Sequence, residues 1–213
     1  PAYHRDVTPG NVLIGLNGIV KLADFGLARA MDRAKITRPE MVKGKVAYLP
    51  PEMVDASKTE PTPQSDLFSL GIVLWEILAG RRLFKQKTDL ETLKSVMACE
   101  VPPLESTRPD LPAELTRTVH RALERDPQKR FRTARQMARA LARVLRRVAE
   151  PTDAEPLGES VALARERLKL PPRDLPPSQL VPLRRSRPGD LLGEGDDDLR
   201  ESVEIPAFPS AKD

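Results

Sequence analysis

Two side chains near the start of the chain, Asp6 and Asn11, have the chemistry to take a proton and to hold a divalent cation. They stand five residues apart in the run Tyr3-His4-Arg5-Asp6-Val7-Thr8-Pro9-Gly10-Asn11. A tight loop of that length can turn its carboxylate toward an incoming nucleophile and its carboxamide toward a metal ion. Taken alone, the run also fits a bland reading, with His4 a satisfied core histidine and Asp6 a turn former. The elements that must position these groups come next in the chain. Val12 to Gly15 and Ile19 to Asp24 are short β-prone runs on either side of Leu16-Asn17-Gly18, and Asn-Gly between such runs predicts a hairpin. That hairpin ends in Asp24-Phe25-Gly26.

An Asp-Phe-Gly after the second strand of a hairpin that itself follows His-Arg-Asp is the order found in protein kinases. From about Tyr3 to Val148 the chain resembles the eukaryotic-like (Hanks-type) bacterial serine/threonine protein kinases. The resemblance implies Asp6 as acceptor of the substrate hydroxyl proton, Asn11 and Asp24 as ligands of Mg2+ (or Mn2+), and Leu13 beneath the adenine of ATP. It implies Phe25 packed beneath Asp24, Gly26 completing that motif, and an activation segment from Asp24 to Glu52. The closing Ala-Pro-Glu of the family reads Pro50-Pro51-Glu52 here. By resemblance Glu52 forms a buried ion pair with Arg130, in Asp126-Pro127-Gln128-Lys129-Arg130-Phe131; the alternative is two unrelated surface charges.

Asp66 to Glu76 resembles the central helix of the family. Its apolar residues lie nearly all round, the mark of a helix buried on every side, and Gly80 is a suitable stop. By resemblance Asp66 accepts hydrogen bonds from the catalytic-loop backbone, while Val73 and Ile77 pack under Leu13. Further helices are predicted from Asp89 to Cys99 behind the Thr88/Glu91 capping box, from Leu111 to Arg125, and from Thr133 to Val148. His120, in the second of these, is read as packing or surface. On the last helix Arg135, Arg139, Arg143 and Arg147 form a stripe opposite the apolar one. It is either a solvated face or a dock for an acidic partner, such as the chain's own Glu194-Gly195-Asp196-Asp197-Asp198.

Two departures from the family coincide. Ser/Thr kinases carry Lys two residues after the catalytic Asp, where this chain has Thr8; they carry Thr in Gly-Thr-x-x-Tyr, where Gly44-Lys45-Val46-Ala47-Tyr48 has Lys45. The expectation is that Lys45 reaches Asp6 and supplies the charge Thr8 cannot, with Thr8 holding it by a hydrogen bond. An exposed Lys in a basic loop is the alternative. Arg5 occupies the position that pairs with an activation-loop phosphate in this family. Thr37 is the only Ser or Thr between Leu27 and Leu49, and Glu40 is a built-in anion that could take the phosphate's place.

Charge divides the chain near Glu150. Residues 1–150 hold 26 Lys and Arg against 18 Asp and Glu, and residues 151–213 hold the other 9 against 13, so the overall +4 conceals a balance of +8 and −4. Ten of the 22 prolines fall in the second part, where Phe208 is the only aromatic, too little apolar surface to offset the entropy of ordering. The expected architecture is mainly α: a kinase-like C-terminal lobe with a small β-hairpin (1–149), then a Pro-rich, mostly disordered tail (150–213) in which only Ser160 to Leu170 looks weakly helical. A single cysteine, Cys99, excludes an internal disulfide framework, and no run approaches the ~18 apolar residues of a membrane span. With no signal peptide at the start, a cytoplasmic setting is the simplest reading.

These residues contain no Gly-x-Gly-x-x-Gly loop and no Val-Ala-Ile-Lys lysine. A chain that starts three residues before His4 reads as a piece of a longer kinase and is expected to be inactive alone. The partners implied are ATP and a protein substrate. Two other classes stay open: a pseudokinase or docking scaffold, and a basic nucleic-acid-binding module using the Arg stripe. The last lacks both a nucleic-acid motif and an aromatic stacking platform.

Overall fold

The computed structural model describes residues 3–24, 45–54, 61–148 and 153–170. Phe25, Gly26, Thr37, Glu40 and residues 194–198 lie outside the described residues. In order the elements are β1 (Val12–Ile14), β2 (Val20–Leu22), α1 (Pro51–Val54), α2 (Pro63–Ala79), α3 (Asp89–Ala98), α4 (Leu104–Thr107), α5 (Ala113–Ala122), α6 (Ala134–Leu145) and α7 (Ala154–Arg167). The described residues are therefore mainly helical, with one small antiparallel hairpin.

Helix α2 is the element on which the others pack. Pro63 in its first turn forgoes no hydrogen bond, the Thr62 amide donates to Ser65 Oγ at 3.2 Å, and Gly80 closes it in the left-handed conformation. Two cores meet on it. On one side Phe68, Ile72 and Trp75 pack with Tyr48, Phe84, Val96, Leu104 and Val119. On the other, Leu67 packs with Ala122, Phe131, Met137 and Ala140. Trp75 is fully buried, and its indole donates to Pro102 O at 3.1 Å, so no orphan donor results. Close approach of α5 needs the absent side chain of Gly71: a Cβ there would lie 3.0 Å from Ala122 Cβ.

Local signals place the helix starts. The Glu91 amide donates to Thr88 Oγ1 and the Thr88 amide to Glu91 Oε2, each at 3.2 Å, and the Gln136 amide donates to Thr133 Oγ1 at 3.1 Å. The ends are shorter than the periodicity predicts. Helix α5 stops at Ala122 rather than Arg125, and just beyond it Arg130 takes the carbonyls of Glu124 and Arg125 at 2.7 and 3.1 Å. The His120 ring accepts from the Leu104 amide at 3.1 Å and so ties α5 to α4. The Arg stripe on α6 is partly satisfied within the lobe: Arg143 and Arg147 both pair with Glu114 of α5, leaving Arg135 and Arg139 exposed.

The compact unit runs to Leu170, and α7 starts at Ala154, ahead of the stretch that looked helical. Two glycines explain why composition hides this. A Cβ on Gly158 would lie 2.3 Å from Leu16 O, and one on Gly18 would lie 1.6 Å from Ala154 O. The contact joins backbone to backbone across the hairpin turn, so it leaves no apolar pattern. Among the described residues no helix is long and apolar enough to cross a membrane.

Candidate active site

The loop from His4 to Asn11 is held from below by the first turn of α2. Asp66 Oδ2 accepts from the His4 amide at 2.7 Å and Oδ1 from the Arg5 amide at 2.8 Å. Arg5 sits at φ 65, a conformation costly for a residue with a side chain, and the paired carboxylate bonds offset it. The buried His4 ring bridges two segments. Its Nδ1 accepts from the Asp6 amide at 3.3 Å and its Nε2 lies 2.8 Å from Ala23 O, so the ring ties the loop to the end of the hairpin.

Asn11 closes a 3-10 turn (Pro9–Asn11) entered from extended Thr8. Its Nδ2 donates to Asp6 O at 2.7 Å and to Asp6 Oδ2 at 3.0 Å, which leaves its Oδ1 facing away from Asp6. The hairpin brings Asp24 alongside, because Ala23 N donates to Asn11 O at 2.8 Å and Val12 pairs with Leu22. One amide oxygen and one carboxylate are hard donors that would suit Mg2+. Among the described residues no cluster of three or more His, Cys, Asp or Glu forms a self-contained metal cage. The Asn11 amide oxygen and the Asp24 carboxylate are of a type that would hold a hard divalent cation.

Lys45 enters from the far side. Its Nζ donates to Asp6 Oδ2, the oxygen that Asn11 also holds. Thr8 is buried, and among the described residues no hydrogen bond joins its hydroxyl to Lys45, whose ammonium is held by Asp6. Lys45 caps the 3-10 turn Val46–Tyr48, whose three residues are buried. Beyond it, Arg130, 1% exposed, and Glu52 form a bidentate pair at 2.7 and 2.8 Å, with Ser65 Oγ donating to Glu52 at 3.1 Å.

The contact expected between Leu13 and α2 is also corrected. Alternation along β1 sends Val12 and Ile14 toward the groove lined by Val73 and Ile77, while Leu13 points away and is half exposed. A residue the sequence reading passed over is Glu76. Its carboxylate accepts from Tyr48 Oη at 2.7 Å, Arg82 at 2.9 Å and the Leu83 amide at 3.1 Å. Burial holds its pKa above the ordinary 4.5, against the lowering effects of the Leu83 amide and Lys85. The signal was there: a carboxylate on a helix buried all round must find partners.

A family model described as the protein kinase domain matches residues 2–141. The chain is 38% identical over 155 residues to the tyrosine-protein kinase MasK of Myxococcus xanthus, covering 73% of this chain and 24% of that protein. It is 37% identical over 163 residues to the serine/threonine-protein kinase PknA of Mycobacterium tuberculosis, covering 76% and 37%. To drp72 of Corynebacterium efficiens, also named a serine/threonine-protein kinase, it is 36% identical over 161 residues, covering 76% and 30%. The chain thus spans about a quarter to two fifths of the length of these relatives. With that match over most of its length, and with the loop, hairpin and central helix arranged as above, the chain belongs to the protein kinase domain family and carries its C-terminal lobe.

Proposed function

We propose that this lobe serves the transfer of the γ-phosphoryl group of ATP to a serine or threonine hydroxyl of a protein. The observation that carries the reading is the Asp6 carboxylate. Asn11 holds its Oδ2, His4 and Asp66 fix the loop beneath it, and Oδ1, to which no hydrogen bond is made among the described residues, would meet a substrate hydroxyl. In the step, the hydroxyl oxygen bonds to the γ-phosphorus, the bond to the bridging oxygen of ADP breaks, and the proton passes to Asp6. Asn11 Oδ1 and Asp24 would hold magnesium, which supplies positive charge to the phosphate oxygens. Leu13, exposed on the outer face of β1, is placed to meet a base.

The test is a two-lobed protein in which residues 1–213 follow the N-terminal lobe of a relative, assayed for ATP-dependent phosphate incorporation into a protein. Asp6→Asn should lower kcat by about 10²- to 10⁴-fold. Residues 1–213 alone should be inactive, because they contain no glycine-rich loop and no paired lysine. Transfer by 1–213 alone would contradict that expectation. Two-lobed activity no higher than that of Asp6→Asn would favour the docking-scaffold reading instead.

A further inference from the structure

We infer that Lys45 is a catalytic residue of this transfer, the cation that neutralises the moving phosphoryl group; the inference rests on the phosphotransfer reading above. Its basis is that α2 holds both partners of the Lys45–Asp6 contact. Asp66 fixes the loop bearing Asp6. One turn further along, Ser69 Oγ donates to Tyr48 O at 2.8 Å, and beyond it Glu76 receives the Tyr48 hydroxyl, fixing the turn that Lys45 caps. The Lys45 carbonyl accepts from the Tyr48 amide at 3.0 Å, which ties its backbone to that turn. Its side chain, 53% exposed, remains free to swing on a four-carbon stem.

The charge arrangement suits transfer better than stability. Among the described residues Lys45 is the cation paired with Asp6, and the neighbouring Thr8 brings no charge. A pair this exposed contributes little to folding. As phosphorus passes to the substrate oxygen and ADP departs, the hydroxyl proton reaches Asp6 and cancels its charge. The negative charge that remains lies on the phosphoryl oxygens. The ammonium, released by the carboxylate and keeping its own proton throughout, follows that charge. Because Lys45 arrives on the turn docked to α2, competence depends on that turn being in place.

In the two-lobed protein Lys45→Met should lower kcat by about 10²- to 10³-fold, with KM for ATP changed less than about threefold. Its urea midpoint should match that of the parent, which a structural pair would not allow. Lys45→Arg should keep part of the activity, and Thr8→Lys with Lys45→Thr should recover at least about tenfold of the loss. In residues 1–213, acetic anhydride should label Lys45 faster in Asp6→Asn than in the parent, reporting the contact without any turnover. Full activity of Lys45→Met while Asp6→Asn is dead would overturn this inference and leave the kinase reading intact. Full activity of both variants would overturn both. A lowered midpoint with no recovery in the double exchange would make the pair structural, and equal labelling rates would show that Lys45 does not hold Asp6; either result would overturn the inference.

Discussion

Arg130 offers the sharpest test of how the lobe is held together. Its guanidinium is fully buried and makes five hydrogen bonds: two to Glu52 and one each to the carbonyls of Gln64, Glu124 and Arg125. It also lies 4.5 Å from the centroid of the Phe68 ring. Glu52→Gln keeps the shape but leaves that charge uncompensated, at a cost of about 3 to 5 kcal/mol. Arg130→Met strands Glu52 and three carbonyls and should cost about 5 kcal/mol or more. Against a total stability of about 5 to 15 kcal/mol, either loss is large. The double variant should cost less than the sum by about 1 to 3 kcal/mol, since the second change removes a group already stranded. Urea unfolding followed through Trp75, the sole tryptophan and fully buried, reads these values directly. At about 1 to 3 kcal/mol per molar, 3 kcal/mol moves the midpoint down by roughly 1 to 3 M. A Glu52→Gln loss under about 1 kcal/mol, or strict additivity, would refute the reasoning.

Other outcomes follow from single groups. Glu76 has its pKa raised by burial, so the folded state binds its proton more tightly than the unfolded chain does; stability should fall as pH rises from about 4.5 through the raised value. Glu76→Gln should flatten that slope in urea midpoints measured across the window, and an unchanged slope would assign it to other groups. At Gly158, Ala would ordinarily stabilise a helix by about 1 kcal/mol, but here its Cβ meets Leu16 O. Gly158→Ala should therefore loosen α7 and speed tryptic cutting at Arg165 and Arg167, whereas slower cutting would argue against the docking. Burial pushes the Cys99 thiol up, so iodoacetamide should react with it more slowly at pH 8 in the folded protein than in urea. Equal rates would show that the thiol is open to solvent.

The sequence by itself determined the family and the mainly helical class, because both rest on short-range information. Asp6 and Asn11 share one loop, Asn17-Gly18 specifies a turn, and Thr88 and Thr133 announce helix starts through hydrogen bonds three residues away. Composition carries little sign of α7, which meets the hairpin turn through glycine backbone rather than through an apolar stripe. Only the tertiary structure decided what meets across long separations. Lys45 lies 39 residues from Asp6, Arg130 lies 78 from Glu52, and Glu76 gathers Tyr48, Arg82 and Leu83 around one buried carboxylate. It also decided which way Leu13 faces, because strand alternation divides β1 between two sides and only the fold sets Val12 and Ile14 on the side of the groove lined by Val73 and Ile77. Local propensity acts over one turn or one hairpin, whereas these contacts depend on how the chain closes around α2, and that closure is set by the two cores as a whole.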